Sequence, residues 1–370
     1  GLPYGAQDNA LVRSMCAQVG LRIENQWLRD RPPQARGDGP AERHSGVLWQ
    51  HEPAELCLRC SRAWPPTTRR CACGSAVATA ALPLVTAGKF RLERQLGSGG
   101  MGVVYLARDL VLGRHVALKT LPRVSDSLAG RLEREARAMA TVLHPNLALI
   151  YGAEQWRGSP VLIVEYLEGG TVLDGLRRGP FTVQEMLGLG ILIADVLDRL
   201  HGAGILHRDV KPSNIGYTLS GVPKLLDLGL AAAFAPQCAE SGPSPRKAIV
   251  SPSLQGEYAV TSDSRQLGTL RYMAPEALEG QAPRPSFDLW ALSLVLYEVI
   301  SGRHPLAELT GHGLLKGLRR AAFPDVRDVR PDCPAAIAEF FQEALAVDPG
   351  RRPRTAAELR AVLQSFLTPS

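Results

Sequence analysis

The sequence predicts an α+β chain in which a β-rich segment precedes a helix-rich one, with a small cysteine-rich module in front. Three observations carry this. Runs of β-branched and aromatic residues cluster at 90–96, 102–107, 114–120, 147–153 and 160–165. Helical periodicity dominates later, at 182–202, 286–301 and 334–346, with one earlier helical pattern at 131–143. Four of the seven cysteines fall between Cys57 and Cys73. This order is neither an alternating βαβ sheet nor a repeat array.

A chain of 370 residues has room for two or more domains and a sizeable core. Residues 1–50 read as a partly disordered leader, because 29–46 is rich in Pro, Gly and charge. Residues 51–75 hold the cysteine-rich module, 76–89 read as a small-residue linker, and 90–367 form the main domain. Net charge is +6, with arginines spread along the chain. That reads as a solvated basic surface with local anion sites, and nucleic acid is disfavoured as a partner. The longest apolar run, Leu289 to Ile300, is about half a membrane span, so no membrane partner is expected. The opening lacks a charged-then-apolar leader. With an odd cysteine count, this points to a reducing, cytoplasmic compartment.

The stretch LGSGGMGVV (96–104) contains Gly97, Gly99 and Gly102 in G-x-G-x-x-G spacing. A dinucleotide fold would run from it into a helix, but here VVYLARD follows, which reads as a strand. The loop is therefore a hairpin tip, and its glycines let backbone N–H groups approach phosphates. The next strand, HVALK, ends in Lys119. A lysine in an apolar strand needs an anionic partner, and Glu135 in the following helical pattern is the natural candidate.

From this point the chain resembles the eukaryotic-type serine/threonine protein kinase family in its bacterial-like form. The Gly-rich loop, the V-A-x-K lysine and the helix glutamate are joined in order by five further segments. These are HRDVKPSN (207–214), DLG (227–229), GTLRYMAPE (268–276), DLW (288–290) and DPGRRPR (348–354). The resemblance implies the two-lobed kinase fold, with a β-rich N-lobe and a helical C-lobe, and transfer of the ATP γ-phosphoryl to Ser or Thr hydroxyls of a protein substrate. Its catalytic residues are then Asp209, Lys211, Lys119 and Glu135. Asn214 and Asp227 would hold Mg²⁺. Gly97, Gly99, Gly102, Val104, Ala117, Glu165 and Leu167 would line the nucleotide site, with Val164 at its back.

Other roles follow from the same resemblance. Arg352 would pair with Glu276, and Arg208 would answer an activation-segment phosphate. His207 would join Met139, Ile150 and Leu228 in an apolar stack tied down by Asp288. Thr269 and Lys211 point to the Ser/Thr branch. Gly216 departs from the pattern, since a bulky residue normally floors the adenine site there. The long segment 227–276 carries Thr261, Ser262 and Ser264 where activating phosphates would lie, placed by self-association of two copies. Two alternatives stay open: a nucleotide-binding scaffold without activity, and a kinase whose cysteine module binds nucleic acid.

Cys57, Cys60, Cys71 and Cys73 form C-x2-C-x10-C-x-C. Two close thiolate pairs suit tetrahedral Zn²⁺, and the segment resembles a small zinc ribbon. Four ligands leave no open position, so the role would be structural, with His51 as a spare ligand.

Overall fold

The computed structural model describes residues 51–99, 102–121, 142–226 and 270–367. They divide into two compact units. One takes residues 51–121 and 148–166, and the other 142–147 and 167–367. The division falls between Tyr166 and Leu167.

The first unit holds nine strands: β1 (Pro53–Cys57), β2 (Ala63–Trp64), β3 (Val77–Pro83), β4 (Val85–Thr86), β5 (Phe90–Gly99), β6 (Gly102–Asp109), β7 (His115–Thr120), β8 (Ile150–Trp156) and β9 (Ser159–Glu165). The last six form one antiparallel sheet in the order β4-β5-β6-β7-β9-β8, and the first three a separate sheet, β2-β1-β3. Strand alternation splits the large sheet into two faces. Leu92, Tyr105, Val116, Leu118 and Ile163 point to one face, where they share an apolar core with Ala54, Leu56, Ala80, Leu82 and Leu84. The register Val104↔Lys119↔Leu162 puts Lys119 in a cross-strand row that is not part of this core.

The linker expected over 76–89 is instead β3 and β4. The reason is apolar alternation: Ala80, Leu82 and Leu84 are buried against the large sheet. Each fully buried leucine contributes about 1.5–3 kcal/mol, so the segment is held to the sheet along its length. The cysteine-rich stretch is thus built onto the β-rich unit.

The second unit is helical. Its main elements are α1 (Val172–Leu176), α2 (Val183–Gly202), α3 (Pro275–Leu278), α4 (Pro285–Ser301), α5 (Gly311–Arg319), α6 (Val326–Val329), α7 (Ala335–Ala344) and α8 (Ala356–Ser365). A short β-ribbon, β10 (Ile215–Tyr217) with β11 (Pro223–Leu225), lies among them. A capping box starts α2. Thr182 Oγ1 accepts from the Glu185 N–H at 3.2 Å, and Glu185 Oε2 accepts from the Thr182 N–H at 2.7 Å. Gly190 lets helices close in, because a Cβ there would lie 2.8 Å from Leu363 Cδ1 and 2.9 Å from Leu296 Cδ1. α4 ends at Gly302, whose φ of 81° supplies the left-handed cap. The predicted helices at 182–202, 286–301 and 334–346 are present, whereas α5 and α8 had no sequence reading. The helix expected at 131–143 falls almost wholly outside the described residues.

Candidate active site

The centre of the helical unit is the loop HRDVKPSN. Its backbone hangs on one carboxylate, that of Asp288 in the first turn of α4, only 2% exposed. Asp288 Oδ2 accepts from the His207 N–H at 2.8 Å and pairs with His201 Nε2 at 2.9 Å, while Oδ1 accepts from the Arg208 N–H at 2.7 Å. Arg208 sits at φ 64°, a left-handed conformation that costs roughly 1–2 kcal/mol for a residue with a Cβ. The Asp288 acceptor offsets that strain.

His207 is fully buried, while the apolar stack expected for it includes Met139 and Leu228, which lie outside the described residues. Its Nε2 donates to the Leu226 carbonyl at 2.8 Å, and its Nδ1 accepts from the Asp209 N–H at 3.3 Å. Leu226 also donates its own N–H to the Asn214 carbonyl at 2.8 Å. The residue before Asp227 is therefore held on both sides.

The loop's polar side chains converge. Lys211 Nζ lies 2.9 Å from Asp209 Oδ1 and 2.7 Å from Oδ2. Asn214 Nδ2 donates to the Asp209 carbonyl at 2.9 Å and to Oδ2 at 2.8 Å. Both amide donors of Asn214 thus face Asp209. This orients Oδ1, a hard oxygen acceptor of the kind Mg²⁺ takes, which otherwise meets Ser213 Oγ at 3.5 Å. This one oxygen suits the ion, and its expected partner Asp227 lies outside the described residues.

Gly216, the departure from the expected floor, is filled by its neighbours. A Cβ there would lie 2.7 Å from Leu167 Cδ1 and 3.2 Å from Leu226 Cδ1. Leu167, one residue into the helical unit, takes the volume that a bulky residue at 216 would occupy. The packing loss that glycine implied is thereby offset.

In the sheet unit, Gly97 pairs with Val104, Val104 with Lys119, and Ala117 with Val164. Val104, Ala117, Lys119 and Val164 therefore share one face, and Lys119 is only 8% exposed. Gly102 has φ 120°, and a Cβ there would run into the Thr120 carbonyl, so this position requires glycine. Gly99 pairs with Gly102. Glu165 belongs to β9, where its Oε2 accepts the Leu149 N–H at 3.0 Å. Glu135, Met139, Asp227, Leu228, Thr261, Ser262, Ser264 and Thr269 lie outside the described residues.

The predicted pair Glu276–Arg352 is present and buried. Sequence reading missed its surroundings. Tyr272 donates to the Glu298 carboxylate, and its ring meets His304 edge-on at 5.3 Å. Burial holds the Glu298 carboxyl above its usual range and, with the Arg271 charge, lowers His304 to about 4. His201 was also missed, since nothing in its spacing signals the link to Asp288.

The four cysteines come together. Sγ–Sγ distances are 3.4 Å for Cys57–Cys73 and 3.6 Å for Cys60–Cys71, and all four sulfurs lie within 4.8 Å of one another. A tetrahedral Zn²⁺ with bonds of about 2.3 Å places its sulfurs about 3.8 Å apart, so the cluster fits. The N–H groups of Cys60 and Arg59 donate to Cys57 Sγ at 3.4 Å. Hydrogen bonding led by the Cys60 N–H pulls the Cys57 thiol down to about 6. His51 is not in the group.

Comparison with known proteins agrees with this geometry. Residues 90–364 match the family described as protein kinase domain. The chain is 33% identical over 278 residues to the serine/threonine-protein kinase PknJ of Mycobacterium tuberculosis, covering 73% of this chain and 44% of that protein. It is 28% identical over 282 residues to PrkC of Bacillus subtilis, covering 75% and 40%. It is 32% identical over 277 residues to PknA of Mycobacterium tuberculosis, covering 72% and 59%. The chain thus spans less than half the length of PknJ and PrkC. Among solved structures, the PknI kinase domain of Mycobacterium tuberculosis superposes with a TM-score of 0.57 at 23% identity, covering 78% of this chain and 100% of that one, which shows a shared fold. A kinase-fold backbone, an ordered set of kinase motifs and a family match over most of the length agree, and the chain belongs to the protein kinase family.

Proposed function

We propose that residues 90–367 transfer the γ-phosphoryl of ATP to serine or threonine hydroxyls of proteins. The observation that carries this reading is the Asp209 carboxylate, held by Lys211 and Asn214 on a loop fixed by Asp288. Asp209 accepts the proton of the attacking hydroxyl at a carboxylate oxygen. Lys211, beside it, supplies positive charge where the phosphoryl group passes. Lys119 binds the phosphates of the nucleotide, with Glu135 as its partner, and backbone N–H groups of Gly97, Gly99 and Gly102 lie over them. Val104, Ala117, Glu165 and Leu167 hold the adenine. When bound through Asn214 and Asp227, Mg²⁺ neutralises phosphate charge.

Assay with γ-labelled ATP on serine, threonine and tyrosine peptides tests this. Asp209→Asn should lower turnover by about 10²–10⁴-fold with ATP still bound. ATP binding without any Asp209-dependent product would establish the scaffold reading instead.

The four cysteines are proposed to hold one structural Zn²⁺, supported by the sulfur geometry above. Metal analysis of the purified protein tests it, with one zinc per chain expected. A reducing, cytoplasmic setting suits these free thiols. Among the described residues no helix is long and apolar enough to cross a membrane. Phosphorylation at Thr261, Ser262 or Ser264 by a second copy is the proposed mode of activation, tested by mass spectrometry after incubation with ATP and Mg²⁺.

A further inference from the structure

We infer that the cysteine module is a metal-dependent clamp on the glycine strand: occupancy of the Cys57–Cys60–Cys71–Cys73 site sets the position of residues 93–97, and with it the grip on nucleotide. The inference rests on the zinc and nucleotide readings above.

The link is a main-chain one. The Cys57–Cys60 knuckle closes with the Ser61 N–H donating to the Cys57 carbonyl at 3.0 Å and the Cys57 N–H to the Arg62 carbonyl at 2.9 Å. Ser61, next to a ligand, is forced to φ 57°, the left-handed region that a side chain disfavours. Its carbonyl accepts from the Gln95 N–H at 2.8 Å, and Arg62 bridges Arg94 in antiparallel fashion. Gln95 lies two residues before Gly97, which pairs with Val104, which pairs with Lys119.

The outer edge of β5 explains why such a contact matters. β4 covers it only at Phe90 and Arg91, and the Leu92 N–H reaches the Leu84 carbonyl at 2.8 Å. Beyond that, the knuckle takes over the edge at Arg94 and Gln95. The opposite edge of β5 changes register between Leu92 and Arg94 and again between Gln95 and Gly97. Irregular pairing on one side makes the strand depend on its support from the other. Packing couples the two as well. Leu56, adjacent to ligand Cys57, shares a core with Leu92 and Tyr105, and the Tyr105 hydroxyl accepts from the Ala81 N–H at 2.9 Å.

On its other side the knuckle is held by β3, where the Leu58 N–H donates to the Ala76 carbonyl at 3.1 Å, but its own frame is slight. β2 is two residues long, and the cysteines form no disulfide. A segment this small needs a staple, and a structural metal supplies folding energy directly. Loss of the metal therefore frees Ser61 and lets go of Gln95.

The test is hydrogen exchange by mass spectrometry on the full chain, as purified and after treatment with a strong zinc chelator, with metal content measured on the same samples. Exchange across residues 92–99 is expected to rise about tenfold or more on metal loss while 183–202 stays unchanged. The KM for ATP is expected to rise more than kcat falls, and added zinc to restore both. Gln95→Pro, which removes one N–H at a strand edge, should keep the zinc and still raise the KM for ATP. Bound zinc with no change at 92–99 on its removal overturns the clamp and leaves the zinc reading standing. Exchange rising equally in 183–202 also overturns it, because the metal would then be a global staple. A protein purified without metal overturns both.

Discussion

Arg352 and Glu276, 76 positions apart, meet in a two-pronged pair, Nη1 to Oε1 at 2.8 Å and Nη2 to Oε2 at 3.0 Å. Both side chains are buried, at 2% and 5% exposure. Every nitrogen of the guanidinium is used. Nε donates to the Ala346 carbonyl, Nη2 also to Val347, and the plane lies over the Trp290 ring at 4.4 Å. Removing one partner leaves an uncompensated buried charge. Arg352→Ala should therefore cost about 3–5 kcal/mol in urea unfolding, and Arg352→Lys should not restore it, since an ammonium lacks the fork. A loss under about 1 kcal/mol for Arg352→Ala would remove the pair from any account of stability.

On the proposed phosphoryl-transfer reading, Asp288 should act through the loop backbone. With Asp288→Ala the strained Arg208 peptide and the His207 N–H lose their acceptor. Turnover should fall about 10²-fold, with a smaller change in the KM for ATP. Equal changes in kcat and KM would mean that Asp288 does not position Asp209.

Gly216 and Leu167 share one space. Gly216→Leu drives a side chain into Leu167 and should raise the KM for ATP about tenfold, in line with overpacking costs of 1–3 kcal/mol. Adding Leu167→Ala should recover most of that loss. Additive effects in the double variant would show that the two positions are independent.

His304 makes stability pH-dependent. Its Nδ1 accepts from the Leu306 N–H at 3.0 Å and its Nε2 donates to the Arg271 carbonyl at 3.1 Å, which fixes the neutral ring. The folded pKa lies near 4 against an ordinary 6.5, so between these values the unfolded chain binds a proton that the fold refuses. This contribution is complete above pH 6.5 and lost as pH falls toward 4, to an extent of ~3 kcal/mol. Glu298, whose carboxyl burial raises, runs the other way: its contribution is present below 4.5 and lost as pH rises. The difference between wild type and His304→Gln isolates the histidine. That difference should shrink as pH drops from 6.5 to 4, and a constant difference would rule the histidine out.

The legible part of this protein was its local chemistry. Lys119, Asp209, Lys211 and Asn214 stood out as candidates because the motifs of the kinase family carry those residue types in that order, and the strands and longer helices announced themselves by period. The 76–89 stretch was misread because its small residues hid the alternation of Ala80, Leu82 and Leu84, which face the core. His201 and Ser61 were missed because each works through a partner distant in the chain, and neither leaves a periodic trace.

The amino-acid order alone thus pointed to the family, the candidate catalytic groups and the candidate set of four metal-binding cysteines, because each shows as residue types at characteristic spacing. Only the tertiary structure decided that Leu167 fills the space at Gly216, that His201 joins Asp288 and that Ser61 holds Gln95. The physical reason is that these contacts join segments whose approach depends on how whole elements pack, and packing between distant segments is not encoded in any short stretch of sequence.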